Sequence, residues 1–167
     1  NLTKAYFRII PYDWLSRLKQ TQRHPEYVDH RQKGEWLNKQ PLKEWSVDLP
    51  PTDDFNERVE KIDPPKDLKP GSYFLFASHD PKFGEQENRV SYSSFWVSDI
   101  SLVMRTRQGS GALEGFVLNA ITGEPIQGAT VRSWKRERNN RQVELKATRT
   151  DANGLFSIKA GRTSLTV

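Results

Sequence analysis

Three histidines, His24, His30 and His79, are the residues of this 167-residue chain best suited to moving protons or holding a metal ion. Their spacing serves neither purpose. None stands at i, i+4 from another, and no HExxH is present, so no two are set to share one helix face around a metal. His79-Asp80 with a serine would supply the parts of a nucleophilic triad, but no G-x-S-x-G elbow or oxyanion loop accompanies them. Asp53-Asp54 lies beside prolines and reads as turn residues. Asp151 and Asn153 look like half of a calcium loop, without the further carboxylates that a hard cation needs. QGSG (108–111) lacks the lysine and the strand–helix context of a phosphate-cradling loop. There is no cysteine, which excludes disulfides, thiolate zinc sites and cysteine nucleophiles. The expectation is a protein that is not an enzyme, with no catalytic, cofactor-binding or metal residues and no cofactor.

Binding chemistry is the next possibility. Residues 1–105 carry 16 Lys+Arg against 16 Asp+Glu, and 106–167 carry 10 against 5, so the net charge of +5 belongs wholly to the second part. It concentrates in RSWKRERNNR (132–141), where Trp134 stands among Arg132, Lys135, Arg136 and Arg138. Such a cluster could follow a nucleic-acid backbone and stack a base. No nucleic-acid fold signature accompanies it, and a solvated hairpin loop is the reading adopted, with no nucleic-acid partner. The five tryptophans could form a carbohydrate platform. Trp45 and Trp96 lie in alternating segments, which favours packing. A glycan-binding module would instead place Trp14, Trp36 or Trp134 in an open groove. An Asn1-Leu2-Thr3 sequon stands at the first residue. The start at Asn1 suggests a piece excised from a longer protein, or a processed one. No apolar run approaches the roughly 18 residues of a membrane span.

These side chains ride on a pattern dominated by strands. LTKAYFRII (2–10) alternates, with Ala5, Phe7 and Ile9 on one face and Tyr6, Arg8 and Ile10 on the other, and Pro11 limits its extension. In 12–44, Trp14, Leu15 and Leu18 have helical spacing, as do 28–31 with Glu35, which predicts one or two short helices or an ordered loop. EWSVDL (44–49) sets Trp45, Val47 and Leu49 on one face. FNERVEKI (55–62) reads as a strand. In LKPGSYFLFASHD (68–80) both faces are partly apolar, as in a central strand. PKFGEQEN (81–88) reads as a polar hairpin loop, and RVSYSSFWVSDISLVMR (89–105) is long enough for two strands. TRQGSG (106–111) is the candidate linker. Beyond it, alternating segments led by Leu113, Ala129, Val143, Phe156 and Leu165 are separated by turn residues, as in an antiparallel sandwich.

Two turns are specific. In Thr122-Gly123-Glu124-Pro125, glycine supplies positive φ and proline fixes the exit. Gly128-Ala129 offers small residues for a close backbone approach. In Asp151-Ala152-Asn153-Gly154, aspartate can accept from amides ahead of it, and Asn-Gly suits left-handed positions. LEGFVLNAITGEPIQGATVRSW followed by TRTDANGLFSI resembles a small β-sandwich module found in carboxypeptidase-regulatory-like domains and in bacterial alpha-2-macroglobulins. The preceding SFWVSDISLVMRTRQGSGA is similar to the macroglobulin version. EWSVDLPPTDDF with LKPGSYFLFAS resembles the amino-terminal macroglobulin domains of Bacteroidetes-type members. The likeness runs from about Lys43 to Val167.

The resemblance implies an all-β chain of two tandem antiparallel β-sandwich, immunoglobulin-like domains. These would be 1–105, with a short helix or ordered loop inserted, and 106–167, truncated. It implies a non-catalytic scaffold segment of a protease-inhibiting, envelope-defence protein in the periplasm, cell envelope or extracellular space. Its partners would be neighbouring domains of the same chain, and proteases through the whole molecule. Without cysteine the segment holds no thioester. The alternative is a carboxypeptidase-regulatory-like or adhesin-type module that binds carbohydrate or protein.

Overall fold

The structure is a computed structural model that describes residues 2–20, 24–51, 56, 59–84, 86–106, 112–137, 141–159 and 165–167. The linker residues 107–111, Asp53-Asp54, Asn1 and the loop tip 138–140 therefore lie outside the described residues. The described residues form mostly antiparallel strands with two short helices, as the alternating pattern predicts. It forms two compact units, Asn1–Trp14 with Pro25–Val97, and Leu15–His24 with Ser98–Val167.

Unit 1 is organised around one four-stranded sheet of order β2-β1-β3-β4. Its strands are β1 (Lys4–Tyr12), β2 (Lys43–Asp48), β3 (Gly71–Ser78) and β4 (Ser91–Val97). Alternation sorts its two faces as the sequence predicts. Ile10, Tyr12, Phe74 and Phe76 turn one way and are buried with Val28, Trp36, Phe83 and Val90. Phe7, Trp45 and Leu75 turn the other way. β3 is central, which explains why both its faces are apolar.

Pro11 does not end β1, which runs on to Tyr12. The Ile9 carbonyl accepts from the Leu42 N–H at the edge of β2, and a residue two further along directs its amide to the same side. There β2 has already ended, so proline's missing donor breaks no bond between strands.

The helices fall where the spacing places them, at α1 (Trp14–Gln20) and α2 (His30–Leu37). Asp29 caps α2. Its carboxylate accepts from the Gln32 N–H at 2.9 Å, and the Gln32 side chain reaches back to the Asp29 N–H. This reciprocal box satisfies two otherwise orphaned donors.

Of the strand expected over 55–62, Phe55, Glu57 and Arg58 lie outside the described residues. Asn56 and residues 59–62 form no strand, and Val59 is 87% exposed. Period-two alternation in FNERVEKI yields two mixed faces, Phe-Glu-Val-Lys and Asn-Arg-Glu-Ile, and neither can be buried without a charge. The chain instead brings Ile62, Pro64 and Pro65 against the Phe7–Trp45 face of the sheet.

Unit 2 is a set of short antiparallel pairings. β5 (Ile100–Thr106), β6 (Ala112–Asn119) and β11 (Leu155–Lys159) make a three-stranded sheet with β6 in the middle. β8 (Trp134–Arg136) lies between β9 (Gln142–Glu144) and β12 (Leu165–Thr166), while β7 (Thr130–Val131) pairs with β10 (Thr148–Arg149). Val117, Val131, Phe156 and Ile158 form its buried centre. The long segment 89–105 does hold two strands, but they serve different units. β5 pairs with β6, so residues 98–105 group with unit 2, where the sequence reading ends the first domain at 105.

Candidate functional site

Ser78, Asp80 and Asp151 are engaged by the backbone around them. Asp80 Oδ1 accepts from the Lys82 N–H at 3.0 Å and Oδ2 from the Gly84 N–H at 2.9 Å. These two donors favour the ionised form and hold the Asp80 carboxyl below its ordinary range. The Ser78 hydroxyl donates to the Asp80 carbonyl and accepts from the Asp80 amide and from Asn88. His79 is exposed beside this loop. Ser78 and Asp80 thus shape this turn.

The loop 81–88 also carries an apolar anchor that its composition hides. Phe83 is 4% exposed with φ at 56°, and the Arg8 guanidinium lies 4.1 Å from its ring centre. Left-handed backbone at a bulky residue costs on the order of 1 kcal/mol, and burial of the ring offsets it.

Asp151 behaves in the same way. Its Oδ1 accepts from the Asn153 and Leu155 N–H groups at 2.8 and 2.9 Å. It organises a turn. Among the described residues no three His, Asp or Glu side chains come close enough to share an ion. His30 lines an open groove of unit 1, about 390 Å³, with Asp29, Lys33, Arg89 and Tyr92.

The two marked turns meet. Val117 donates to the Gly154 carbonyl and accepts from the Ile126 N–H, each at 2.9 Å, so one β6 residue links both. Gly154 has φ of 71°, and a Cβ on it would stand 2.6 Å from the Val117 carbonyl oxygen and 3.1 Å from Pro125. Only glycine fits there. Gly128 differs from its expected role. Nothing lies within 4 Å of where its Cβ would be, and its φ of 75° explains it instead.

Sequence reasoning missed two side chains at this corner. Asn119 Oδ1 accepts from the Ile121 and Thr122 N–H groups, setting the TGEP turn. Buried Thr150 donates to the Ile126 carbonyl at 2.6 Å and accepts from the Ala129 N–H at 2.9 Å. The Asx signal at Asn119 was readable, since Asn before a turn favours such bonds. The Thr150 latch spans more than twenty residues and leaves no local signal.

The binding candidates are also committed. Trp134 and Trp36 are 5% and 7% exposed, buried in their units. Trp14 packs against the unit 1 core and stands 5.8 Å from Trp96. Trp96, 53% exposed, donates to Glu26 at 3.2 Å. In the basic segment, Arg132 forms a bidentate pair with Glu144 at 2.7 and 2.9 Å, and Arg141 pairs with Glu137. The pair raises the Arg132 pKa and lowers that of Glu144. An apolar feature lies on the other face of the unit 1 sheet. It is a cavity of about 230 Å³ walled by the stacked Phe7 and Trp45, with Ile9, Leu75, Phe95 and Pro64-Pro65.

No protein-family model matches the chain, and no curated protein sequence matches it. Solved structures do match. A crystal structure of native alpha-2-macroglobulin from Escherichia coli spanning domains MG0-NIE-MG1 superposes with a TM-score of 0.66 at 16% identity, over 99% of this chain and 51% of that one. A shorter fragment of the same protein, spanning NIE-MG1, gives a TM-score of 0.62 at 16% identity, over 99% of this chain and 84% of that one. The chain spans about half the length of the longer fragment, and through nearly all of its residues it has the fold of these bacterial alpha-2-macroglobulin domains.

Proposed function

We propose that the chain is a non-catalytic scaffold segment of a bacterial alpha-2-macroglobulin-like protein, of the Bacteroidetes type suggested by EWSVDLPPTDDF and LKPGSYFLFAS. The observation that carries this is the match of 99% of the chain to the NIE-MG1 fragment. The commitment of Asp80, Asp151, Trp36 and Trp134 to turns and cores supports a role exercised through fold. The two modules would have the sequence boundaries 1–105 and 106–167, and they would contribute packing surface to neighbouring domains of a longer chain. The whole molecule would trap proteases in the periplasm or cell envelope, with cleavage elsewhere in the chain driving its rearrangement. No helix of the described residues is long and apolar enough to cross a membrane.

The test uses the intact parent protein and a purified protease. Trapping excludes large substrates by size while small ones still diffuse in. The protease should keep its activity on a short peptide and lose most of it on a large protein. The 167-residue chain alone should do neither. Undiminished digestion of the large protein in the presence of the parent would refute the reading.

A further inference from the structure

The register of the unit 1 sheet builds the cavity of about 230 Å³ on its second face. Ile9 lies opposite Leu75, and Leu75 opposite Ser93, so these three make a floor across β1, β3 and β4. Phe7, two residues before Ile9, pairs with Trp45 of β2, and their rings stack at 5.1 Å. Phe95, two residues after Ser93, stands at the other side, stacked on Tyr73 at 5.4 Å. Aromatic rings therefore bound the floor on both sides, and Ile62, Pro64 and Pro65 lie over it. The fixed φ of two successive prolines leaves that cover little freedom to collapse inward. An apolar cavity of about 150 Å³ admits benzene, so this one has room for a ring with a short chain attached. Among the described lining residues Asp63 alone is ionisable. It is exposed, and among the described residues it has no ion-pair partner.

We propose that this cavity is a binding site for a small aryl-alkyl ammonium, an aromatic ring joined through a short chain to a positive nitrogen. The ring lies over Ile9 and Leu75, between the Phe7–Trp45 pair and Phe95, and sheds its water there. The ammonium stays at the mouth, where the Asp63 carboxylate and the aromatic rings both attract positive charge. The same ring carrying a carboxylate meets like charge at Asp63 and is disfavoured. Charge and space together select this occupant. An aliphatic surface of another protein would leave Asp63 unpaired. A strand or helix laid on the sheet would need the place that Ile62, Pro64 and Pro65 hold. The proposal does not depend on the scaffold role.

Phenethylammonium is the probe. Titrated into the isotope-labelled chain, it should shift the methyl resonances of Ile9, Ile62 and Leu75 and leave those of Val117 and Val131 in unit 2 unmoved. The shifts should saturate with a Kd at or below about 1 mM. Phenethyl alcohol, neutral and of the same size, should bind about three- to fivefold more weakly, and hydrocinnamate more weakly still. Asp63→Asn should remove the advantage of the ammonium over the alcohol. Ser93→Trp places a ring over the floor and should abolish binding of all three, with β3 still protected from hydrogen exchange. Shifts that do not saturate by about 10 mM, or that appear equally in both units, overturn the proposal. So do equal affinities for the three probes, an ammonium preference that Asp63→Asn leaves intact, or binding that survives Ser93→Trp. Binding that is lost when the chain is part of a longer parent would assign the cavity to a neighbouring domain, and would overturn the ligand role as well.

Discussion

The aromatic face of the unit 1 sheet and the corner of unit 2 where the TGEP and DANG turns meet hold their surroundings by different means. Under the sheet, rings do the packing. Tyr12 stacks on Phe74 at 4.1 Å, while Trp36 and Tyr92 meet Phe74 edge-on at 5.1 and 6.2 Å. At the corner the backbone is the adhesive. Val117, Asn119, Thr150 and Asp151 bind main-chain groups, around a cluster of Val117, Val131, Phe156 and Ile158. Large apolar area tolerates changes of shape but not loss of volume, whereas a backbone lock tolerates neither a Cβ nor a missing hydroxyl.

Substitutions should separate the two. Phe74 has no exposed surface and packs against Tyr12, Trp36 and Tyr92, so its loss should be among the most costly. Phe74→Ala should destabilise unit 1 by about 3–5 kcal/mol, read as lost hydrogen-exchange protection in β3 with that in β6 unchanged. Gly154→Ala should do the reverse. Its left-handed φ and the contact with the Val117 carbonyl should cost unit 2 about 2–3 kcal/mol and expose β6 while β3 stays protected. Thr150→Val keeps the shape and removes the latch, leaving the Ala129 N–H unmet, for about 1–2 kcal/mol in chemical denaturation. Ser133 sharpens the comparison from the other side. Its hydroxyl is buried without a hydrogen-bond partner among the described residues. Ser133→Ala should therefore stabilise unit 2, by up to about 1 kcal/mol. An equal loss of protection in both units from either of the first two variants would erase the distinction.

The smallest effect depends on pH. The Asp80 carboxyl is held below its ordinary range by two backbone donors. Its stabilising contribution is present above the unfolded pKa and is lost as pH falls through the folded one. Asp80→Asn should thus flatten the acid limb of the unit 1 stability profile and change nothing near neutrality beyond a constant offset. An identical acid limb in the variant would assign that slope to other carboxylates.

What could be read in the sequence follows from the range of the interactions. Alternation in AYFRII and SYFLFAS assigned both faces of the central strands correctly, because one period-two pattern suffices there. The DANG turn was legible in detail, since Asp151 acts on amides two and four residues ahead. Phe83 was not, because a polar loop conceals an anchor whose partners lie in distant strands. Thr150 and the role of Gly128 escaped for the same reason, and the described part of FNERVEKI, residues 56 and 59–62, forms no strand because its alternation offers no face free of charge. The expectation of no site rested on missing spacings, and what the structure adds is the part that Ser78, Asp80 and Asp151 play in their turns.

The account's central claim is that this segment works through its fold and not through any one side chain. Protease trapping by the intact parent, measured as protection of a large protein substrate, tests it directly with two variants. His79→Ala should leave trapping at the level of the unmutated parent. Gly154→Ala, which breaks the corner of unit 2, should reduce trapping in proportion to the protein it unfolds. Loss of trapping on His79→Ala with both units still protected from exchange would contradict the claim.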